Sequence, residues 1–456
     1  MGNNTWPGVC WVQVRFDGNF RLDCKIMEKG IRRFRIATLG CKVNQYESFA
    51  IKELFLENGF EESGRDCDLV VINTCAVTNS ACHQSRQLIS KLKRENPNAK
   101  IFVTGCYVDL YPSELQGRFP SAMLVPTRYK LDIFKVVERV EVNVERLNSS
   151  CFPIKPPTPS ERARAYLKIQ DGCEGRCTYC VVPLARGSYK SLEKNRVLEQ
   201  VTYLEKTGYR EVVLTGIHLG KYGADLGDIT IEDILLEILK RSSKVRLRLS
   251  SIEPTELSRD LLELVKSSER ICKHFHIPLQ SGAEKILLAM GREYTSDEYA
   301  ELIWDIHKLI PDAGIGADVI VGFPGEDEKD FENTYQLIER LPLSYLHVFP
   351  FSVRPGTVAS SYVNAVPINV IKTRLNLLRS LAEEKKRTFM ERQVGNYIKF
   401  LPEKTIEGTY IMGHTDNYLV GVMRSPDGGL GKWALGKVRG VEANKLILDY
   451  IKAIDY

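Results

Sequence analysis

Three cysteines in the segment DGCEGRCTYC have the spacing of an iron–sulfur ligand set. Cys173, Cys177 and Cys180 form CxxxCxxC, and cysteine thiolate is the protein ligand that iron–sulfur clusters take. A cubane cluster has four irons, so three cysteines leave one iron open to a substrate or cofactor, as in catalytic metal sites generally. The alternative, a structural zinc site, requires a fourth Cys or His nearby, whereas the apolar run VVP follows. The segment therefore favours a cluster that does radical chemistry.

A second group of cysteines lies closer to the amino terminus, at points where predicted strands end. Cys41 lies in TLGCKVN, Cys75 in INTCAVTN and Cys106 in VTGCYVD. In open α/β sheets, ligand sites gather at the carboxyl ends of the strands, so these three loops can bring three thiolates to one point. We predict an auxiliary cluster there, again with an open iron. The alternative is that all three are ordinary half-buried cysteines, a residue type common in protein interiors.

The remaining cysteines show no comparable pattern. Cys67 and Cys82 fall within or beside predicted elements, and we interpret them as core or surface residues. Disulfides are not expected, because cysteines in a large chain without a secretory signal more often bind metal or act in catalysis. The cysteines that match no recognisable ligand spacing are Cys10, Cys24, Cys151 and Cys272.

Residues 31–150 are predicted to form an α/β domain that positions the auxiliary cysteines. The β-branched runs RFRIAT, DLVVIN, KIFVTG and AMLVP predict strands. Amphipathic segments at Tyr46–Asn58, Thr78–Arg94 and Leu131–Arg139 predict helices between and after them. Strands that alternate with helices favour a parallel sheet built from βαβ units. Residues 1–30 precede this pattern and are read as an amino-terminal extension.

The segment CFPIKPPTPS at residues 151–160 predicts a linker, because closely spaced prolines disfavour helix and central strand. Strands are then predicted at AYLKIQD, EVVLTG, VRLRLS, HFHIPL, IGADVIVG and YLHVFP, with helices that include Leu192–Thr207, Thr230–Arg241 and Thr255–Ser267. Such units predict a complete or partial parallel barrel over residues 161–385. Active sites of parallel barrels lie at the carboxyl ends of the strands, where the first loop carries CxxxCxxC.

The carboxyl-terminal region combines a charged helix with short strands. Residues 366–393 predict the helix, whose Lys/Arg run we interpret as a solvated face. Period-two runs at YIKFLPE, GTYIMGHT, YLVGVMR and NKLILDYI predict a small antiparallel β-barrel over residues 386–456. Its aromatic and basic side chains suit nucleic acid, through base stacking and phosphate contacts, although the aromatics can equally fill the barrel core. These side chains are Tyr410, His414, Tyr418, Arg424, Lys432, Trp433 and Lys437.

Composition indicates an intracellular protein of two or three domains. The chain has 456 residues, against about 100–200 residues for a domain. Its 43% hydrophobic and 27% charged content is ordinary for a globular protein. No apolar run is long enough for a membrane helix, and the start lacks a secretory pattern, so we predict a cytoplasmic location without a membrane partner. A net charge of +5 is compatible with a polyanionic partner and equally with a solvated basic surface.

CxxxCxxC with Tyr179 before the last cysteine resembles the radical S-adenosylmethionine (SAM) superfamily. The resemblance implies that the open iron binds SAM and that electron transfer cleaves it to a deoxyadenosyl radical. The motifs LTGIHLG, SSIEP, HIPLQSG and GADVIVGFPGE look like the superfamily's SAM-contacting strand ends. Glycine permits close backbone approach, and the polar residues can hydrogen-bond SAM, but a buried polar residue of this kind is also common in an ordinary core. The implied SAM contacts are Tyr179, Gly216, Glu253, His276 and Gln280.

The order of an α/β domain with three dispersed cysteines, CxxxCxxC and a small β-barrel resembles the methylthiotransferases, whose last domain is called TRAM. The resemblance covers nearly all of Ile31–Tyr456. LGCKVNQYE and NTCAVTNSA look most like the branch that acts on N6-threonylcarbamoyladenosine in tRNA. The implied product is 2-methylthio-N6-threonylcarbamoyladenosine at position 37, next to the anticodon. The implied cofactors are two [4Fe–4S] clusters and SAM.

The resemblance also implies a division of work between the two cysteine groups. One SAM methylates a sulfur held at the cluster of Cys41, Cys75 and Cys106. A second SAM, at the cluster of Cys173, Cys177 and Cys180, yields the radical that activates the unreactive C2–H bond of adenine. The implied partners are tRNA, an electron donor like flavodoxin or ferredoxin, and a sulfur source.

The same residues are compatible with other functions for this chain. A methylthiotransferase can act on isopentenyladenosine in tRNA or on a ribosomal-protein aspartate. Another radical SAM enzyme can use the amino-terminal cluster for electron relay, and then needs no sulfide on it. A non-catalytic tRNA-binding module would leave the paired cysteine groups without a purpose, and its function would survive their substitution by alanine.

Overall fold

The computed structural model describes residues 32–138, 151–153, 155–158, 163–227, 229–407, 409–424 and 430–454. The chain divides into two compact units. The first comprises the described part of Met1–Pro157 together with Val181–Gly187, and the second comprises Thr158–Cys180 and Ser188–Tyr456, as far as they are described. The predicted extension at residues 1–30, with Cys10 and Cys24, lies outside the described residues.

The first unit is built on one five-stranded parallel sheet in the order β2-β1-β3-β4-β5. Leu69 and Val71 on β3 face a core cluster formed with α1 and α5, whereas Val70 and Ile72 face the cluster formed with α2. Helices thus cover both faces, and the predicted parallel sheet is confirmed. The elements are β1 (Arg32–Thr38), α1 (Lys42–Glu57), β2 (Phe60–Glu62), β3 (Leu69–Thr74), α2 (Asn79–Glu95), β4 (Lys100–Gly105), α3 (Cys106–Leu110), α4 (Pro112–Arg118), β5 (Met123–Val125), a 3-10 helix (Thr127–Asp132), α5 (Ile133–Glu138) and α6 (Val182–Arg186).

The second unit begins with six parallel strands in sequential order. They form two three-stranded sheets, β6-β9-β10 and β11-β12-β13, which isolated parallel bridges join at Leu247–Ile271 and Ser251–His276. The elements up to the end of this array are β6 (Arg164–Lys168), β7 (Gln170–Asp171), β8 (Lys190–Ser191), α7 (Lys194–Lys206), β9 (Glu211–Thr215), α8 (Ile231–Arg241), β10 (Arg246–Leu249), α9 (Arg259–Ser267), β11 (His274–His276), α10 (Glu284–Ala289), α11 (Ser296–Leu309), β12 (Gly314–Val321), α12 (Glu328–Arg340) and β13 (Tyr345–Pro350).

Local sequence explains where the helices of this array begin. The Thr230 side chain accepts from the Asp233 amide, and the Asp233 carboxylate accepts from the Thr230 amide, which makes a capping box for α8. Thr295 with Glu298 does the same for α11. Capping satisfies amides that have no partner within the helix, so these helix starts are readable in the sequence.

The chain ends with α13 (Ile368–Glu391) and five strands that close into a barrel. The predicted antiparallel pairing is wrong for one pair, because β16 and β18 run parallel. One strand, β17, was not predicted, since Gly436 and Gly440 interrupt its apolar pattern. The strands are β14 (Tyr397–Glu407), β15 (Tyr410–Thr415), β16 (Val420–Arg424), β17 (Ala434–Glu442) and β18 (Lys445–Ala453).

The barrel packs against the parallel strands at the ends where they begin. Arg248 on β10 donates to the main-chain oxygens of Asp416 and Thr415 in the turn between β15 and β16, both at 3.0 Å. The Trp433 indole, 1% exposed, donates to the Arg210 carbonyl at 3.2 Å. The barrel and the strand array therefore belong to one compact unit, with the barrel opposite the loops at the carboxyl ends. No helix among the described residues has both the length and the apolar character needed to cross a membrane.

Candidate cluster sites

The three auxiliary cysteines follow three neighbouring strands of the first sheet. Cys41 is the N-cap of α1, Cys75 follows β3 directly, and Cys106 is the first residue of α3 after β4. Because β1, β3 and β4 are adjacent and parallel, their carboxyl ends meet at one edge. Cys75 and Cys106 are buried and Cys41 is exposed. The predicted placement at strand ends is observed for all three residues.

Two glycines allow the loops to pack this closely. Gly40 has φ +102°, and a Cβ on it would lie 3.1 Å from the Cys75 sulfur. Gly105 has φ +98°, and a Cβ there would come within 2.2 Å of the Thr74 carbonyl oxygen. Only glycine adopts such φ values without strain. The geometry of the site therefore requires glycine immediately before Cys41 and immediately before Cys106.

Side-chain hydrogen bonds tie the strand ends together. The Asn44 amide donates to the carbonyls of Leu39 and Thr74 at 2.8 and 3.0 Å, and these residues lie just before Gly40–Cys41 and before Cys75. The Thr74 hydroxyl donates to the Thr104 carbonyl at 2.6 Å, which links the second loop to the third. The three cysteine loops therefore form one hydrogen-bonded assembly.

Burial makes the metal-free thiols weak acids. It raises the pKa of Cys75 to about 12, and the neighbouring Cys106 and Cys41 add smaller contributions in the same direction. Burial also raises the pKa of Cys106, against the opposing effect of Arg186 and Lys130. Two cations thus act on the Cys106 thiol, and the thiolate form needs a positive partner such as bound iron.

Those two cations belong to a buried ion-pair group that the sequence did not predict. Lys130 donates to Glu47 Oε2 at 2.5 Å, and Arg186 donates to Glu47 Oε1 at 3.0 Å and to Asn44 Oδ1 at 2.8 Å. The side chains of Lys130 and Arg186 are each 1% exposed and that of Glu47 is 3% exposed. No sequence signal could have found this group, since its members come from three distant segments.

The CxxxCxxC loop follows β7 in the second unit and is held by its neighbours. The Thr178 amide donates to the Met290 carbonyl at 2.9 Å, and its hydroxyl donates to the Ala289 carbonyl at 2.8 Å. The Ala359 amide donates to the Thr178 carbonyl at 2.8 Å. Gly291, at φ +70°, leaves no room for a Cβ against the Arg176 carbonyl. The loop is thus fastened to segments that follow β11 and β13.

Two charged residues contact the sulfurs of this loop. His218 Nδ1 lies 3.3 Å from the Cys173 sulfur and its Nε2 lies 2.7 Å from Glu256 Oε1. Burial opposes charge on His218, but these two contacts outweigh it and raise its pKa to about 10. Arg292 donates to the Cys177 sulfur at 3.3 Å. Such contacts beside ligands tune a metal centre, and the pattern LTGIHLG had suggested only backbone approach near His218.

The other residues predicted to contact SAM have various surroundings. A Cβ on Gly216 would lie 2.8 Å from Gln170 Oε1, so Gly216 makes room for Gln170, which fixes the start of the cysteine loop through the carbonyls of residues 171 and 172. Glu253 pairs with Arg292. Tyr179 packs against an apolar cluster that contains Met290. Gln280 has the strained φ of +65° in the segment between β11 and α10. Their role as SAM contacts stays a prediction.

His276, also predicted to contact SAM, belongs to a polar row on the inner face of the strands. Its Nδ1 lies 2.7 Å from Ser251 Oγ and its Nε2 lies 3.2 Å from Asp318 Oδ1. His347 Nδ1 lies 3.1 Å from the same oxygen. Burial alone would raise the pKa of Asp318, but the two imidazoles lower it well below its usual range. The row links four consecutive strands or strand ends at one level.

Both cysteine groups have a donor set that suits an iron–sulfur cluster. Each group supplies three free thiols, and thiolate sulfur is the ligand that such clusters take. The cysteines of each group are close enough to raise the pKa of one another. The residues present therefore fit a cluster held by three cysteines in each group.

Comparison with known proteins first identifies the superfamily. Residues 167–338 match the radical SAM superfamily, and residues 33–126 match a family described as uncharacterized protein family UPF0004. A radical S-adenosylmethionine methyltransferase from Kitasatospora setae, solved with cobalamin and a [4Fe–4S] cluster bound, is similar in fold. Its TM-score is 0.52 at 14% sequence identity, over 72% of this chain and 77% of that chain.

Curated relatives then define the family. A threonylcarbamoyladenosine tRNA methylthiotransferase from Bacillus subtilis is 37% identical over 87% of this chain and 91% of its own length. Its counterpart from Aquifex aeolicus is 38% identical over 84% and 94%. A tRNA-2-methylthio-N(6)-dimethylallyladenosine synthase from Pelotomaculum thermopropionicum is 33% identical over 82% and 87%. The chain belongs to the radical SAM methylthiotransferase family.

Proposed function

We propose that this enzyme adds a methylthio group to C2 of N6-threonylcarbamoyladenosine in tRNA. The observation that carries the proposal is the pair of three-cysteine groups, each at the carboxyl ends of parallel strands, in a chain 37–38% identical to two enzymes named for this activity. Relatives named for threonylcarbamoyladenosine range from 31 to 38% identity, and one named for dimethylallyladenosine is 33% identical, so identity alone does not separate the two substrates. The signatures LGCKVNQYE and NTCAVTNSA, which resemble the threonylcarbamoyl branch, favour that substrate.

Cys173, Cys177 and Cys180 would hold the cluster that binds SAM, and Cys41, Cys75 and Cys106 would hold the auxiliary cluster. When bound, the first supplies the electron that cleaves SAM and the second supplies the position of the sulfur to be transferred. Arg292 donates to Cys177 and thereby favours its thiolate form. Glu253, which pairs with Arg292, would offer its carboxylate to the amino group of SAM.

The substrate base is proposed to enter beside the last strand of the array. Along β13, alternate residues share one face, and His347 and Phe349 on that face are 54% and 43% exposed. Their rings lie 6.3 Å apart. Exposed rings in a cavity are the usual surface on which an extruded base stacks. Asp318 holds the His347 ring in one orientation, which leaves its Nε2 for the substrate.

The closed carboxyl-terminal barrel is proposed to be the TRAM-like, RNA-binding domain of the family. Tyr397 and Tyr410 are 61% and 50% exposed, and Lys437 lies 5.8 Å from the Tyr397 ring centroid. Exposed rings beside cations suit RNA. Tyr418 and Trp433 do not belong to this surface, because they pack toward the parallel strands.

The test is anaerobic reconstitution with iron and sulfide, followed by SAM, a reductant and tRNA that carries threonylcarbamoyladenosine. Digested nucleosides are read by mass spectrometry. The matched variants replace either Cys41, Cys75 and Cys106 or the three CxxxCxxC cysteines with alanine. We expect product only from the unmodified enzyme, and SAM cleavage without product from the first variant.

Two outcomes would change the proposal. SAM cleavage with unmodified tRNA would retain a radical enzyme and exclude this substrate, and a ribosomal-protein substrate would be tried next. Preferential turnover of isopentenyladenosine tRNA in a mixture of both tRNAs would move the enzyme to the other tRNA branch.

A further inference from the structure

We propose that Arg186 is the positioning residue of the auxiliary cluster, a role that rests on the function proposed above. The connection runs through a single side chain. Arg186 donates to Asn44 Oδ1 at 2.8 Å, and the Asn44 amide donates to the carbonyls before Gly40–Cys41 and before Cys75. Arg186 therefore acts on two cysteine loops through Asn44.

The hydrogen bond from Arg186 holds the accepting end of the Asn44 side chain. An asparagine amide has one accepting end and one donating end. The two loop carbonyls accept from Nδ2 and the guanidinium donates to Oδ1, so both ends of the amide are held at once. Without Arg186, Oδ1 loses this donor, and the contact that couples the amide to the buried ion-pair group is gone. Buried and 1% exposed, Asn44 has no bulk water to replace that partner.

Only an arginine can make the contacts seen at this position. The planar guanidinium reaches Asn44 through Nη2 and Glu47 through Nη1, with a second contact to Glu47 at 3.3 Å. A lysine ammonium is a point charge and lacks this fork. Glu47 also accepts a hydrogen bond from Lys130 at 2.5 Å. The guanidinium therefore pairs with a carboxylate that a second cation holds in place.

The charge of Arg186 also suits a cluster of thiolates. Lys130, which pairs with the same Glu47 carboxylate, adds a second buried cation. The buried Glu47 and the partly buried Asp109 are carboxylates that face the same two cations. A cluster with three thiolate ligands brings negative charge into this region, where cations favour it.

Arg186 comes from an unexpected part of the chain. It ends α6, which follows Cys180 closely in the sequence but folds as part of the first unit. One short stretch of chain therefore carries the last ligand of the SAM cluster and the support of the auxiliary cluster. Substitution of Arg186 is expected to affect the auxiliary cluster and not the SAM cluster.

The experiment uses the full chain with Cys173, Cys177 and Cys180 replaced by alanine, so that bound iron reports the auxiliary site. Arg186→Met, Arg186→Lys and Asn44→Ala are added separately, with the exposed Arg94→Met as the matched control. After anaerobic reconstitution, each protein is challenged with a chelator. Iron retained and the electron paramagnetic resonance spectrum after reduction are measured, and circular dichroism checks folding.

We expect Arg186→Met and Asn44→Ala to weaken iron retention about 10–100-fold, as substitutions beside metal ligands do. Arg186→Lys should be intermediate and Arg94→Met unchanged. Retention equal to that of the parent in both Arg186→Met and Asn44→Ala would overturn the proposal; if Arg186→Met does not fold, Asn44→Ala decides. A parent that binds no iron would instead overturn the auxiliary site itself, and with it the function proposed above.

Discussion

Arg248 and Glu211 form a two-point ion pair across neighbouring strands of the second unit. The Arg248 Nε donates to Glu211 Oε1 at 2.7 Å and its Nη2 donates to Oε2 at 3.1 Å. Both side chains are at most 1% exposed. Burial alone would raise the pKa of Glu211, but the guanidinium outweighs it and lowers the pKa to about 2. The same guanidinium reaches the barrel turn, so this pair joins barrel and strands.

Replacing Arg248 with methionine is expected to destabilise the protein by about 3–5 kcal/mol, because it removes the two-point partner of a buried carboxylate and leaves Arg164 at 3.8 Å. Urea unfolding monitored by circular dichroism measures the change. The double variant Arg248→Met/Glu211→Gln should recover part of the loss. A single variant as stable as the parent would show that the pair does not hold the barrel.

The loop before Cys106 depends on a glycine. Gly105→Ala places a side chain at φ +98° against the Thr74 carbonyl, and we expect it to cost about 1–3 kcal/mol and to lower auxiliary iron content. Gly117→Ala in α4 is the matched control, since a Cβ there meets nothing within 4 Å; it should stabilise by up to about 1 kcal/mol. Equal effects of the two substitutions on iron would contradict the packing argument.

The aromatic residues of the barrel separate into two classes. Trp433→Ala removes a buried ring that lies 4.1 Å from the Arg246 guanidinium carbon, and it should cost about 3–5 kcal/mol of stability. Tyr410→Ala removes an exposed ring and should leave stability within about 0.5 kcal/mol while it weakens tRNA binding. Thermal unfolding and filter binding at fixed salt distinguish them. Unchanged tRNA affinity of Tyr410→Ala would remove this ring from the RNA surface.

The pKa of His218 predicts a pH-dependent contribution to the stability of the metal-free protein. Its pKa is raised from 6.5 to about 10 by the contacts with Cys173 and Glu256. The stabilisation is therefore fully present below pH 6.5 and is lost as the pH rises toward 10. His218→Gln should lower stability clearly at pH 6 and little above pH 10, by urea unfolding at each pH. A difference that does not depend on pH would show that His218 is neutral.

The two exposed rings of β13 are predicted to serve the substrate and not SAM cleavage. His347→Ala and Phe349→Ala should raise the KM for tRNA while deoxyadenosine release continues. Leu288→Ala, which changes an 80% exposed side chain on α10, is the control. Equal loss of SAM cleavage and tRNA modification in either β13 variant would place that ring at SAM instead.

The sequence predicted the elements that short-range patterns encode. The runs KIFVTG and YLHVFP correspond to β4 and β13 at both ends, because β-branched and aromatic residues are bounded by turn residues there. The positions of Cys41, Cys75 and Cys106 followed from the same logic. The family resemblance is confirmed by relatives that span most of the chain.

What could not be predicted depends on residues that are far apart in the chain. Arg186 and Glu47 are separated by 139 positions, and nothing near either residue announces the other. Trp433 is a similar case. The sequence predicts a possible RNA contact, whereas the ring is buried against Arg246 and donates to the Arg210 carbonyl, and both residues lie far before it in the chain. The SAM contact of His276 stays a prediction, but its polar partners Ser251 and Asp318 could not be predicted, because they come from distant parts of the chain.

The distance between the barrel and the cysteine loop bears on the size of the substrate. Gly314, where β12 begins, abuts Asn417 of the barrel turn, while the cysteine loop lies beyond the opposite ends of the strands. The eight residues of β12 span about 26 Å. An RNA that bound to the barrel surface and at the cysteine loop at once would have to extend at least that far. The length of the strand array therefore sets a minimum size for any substrate held at both of its ends.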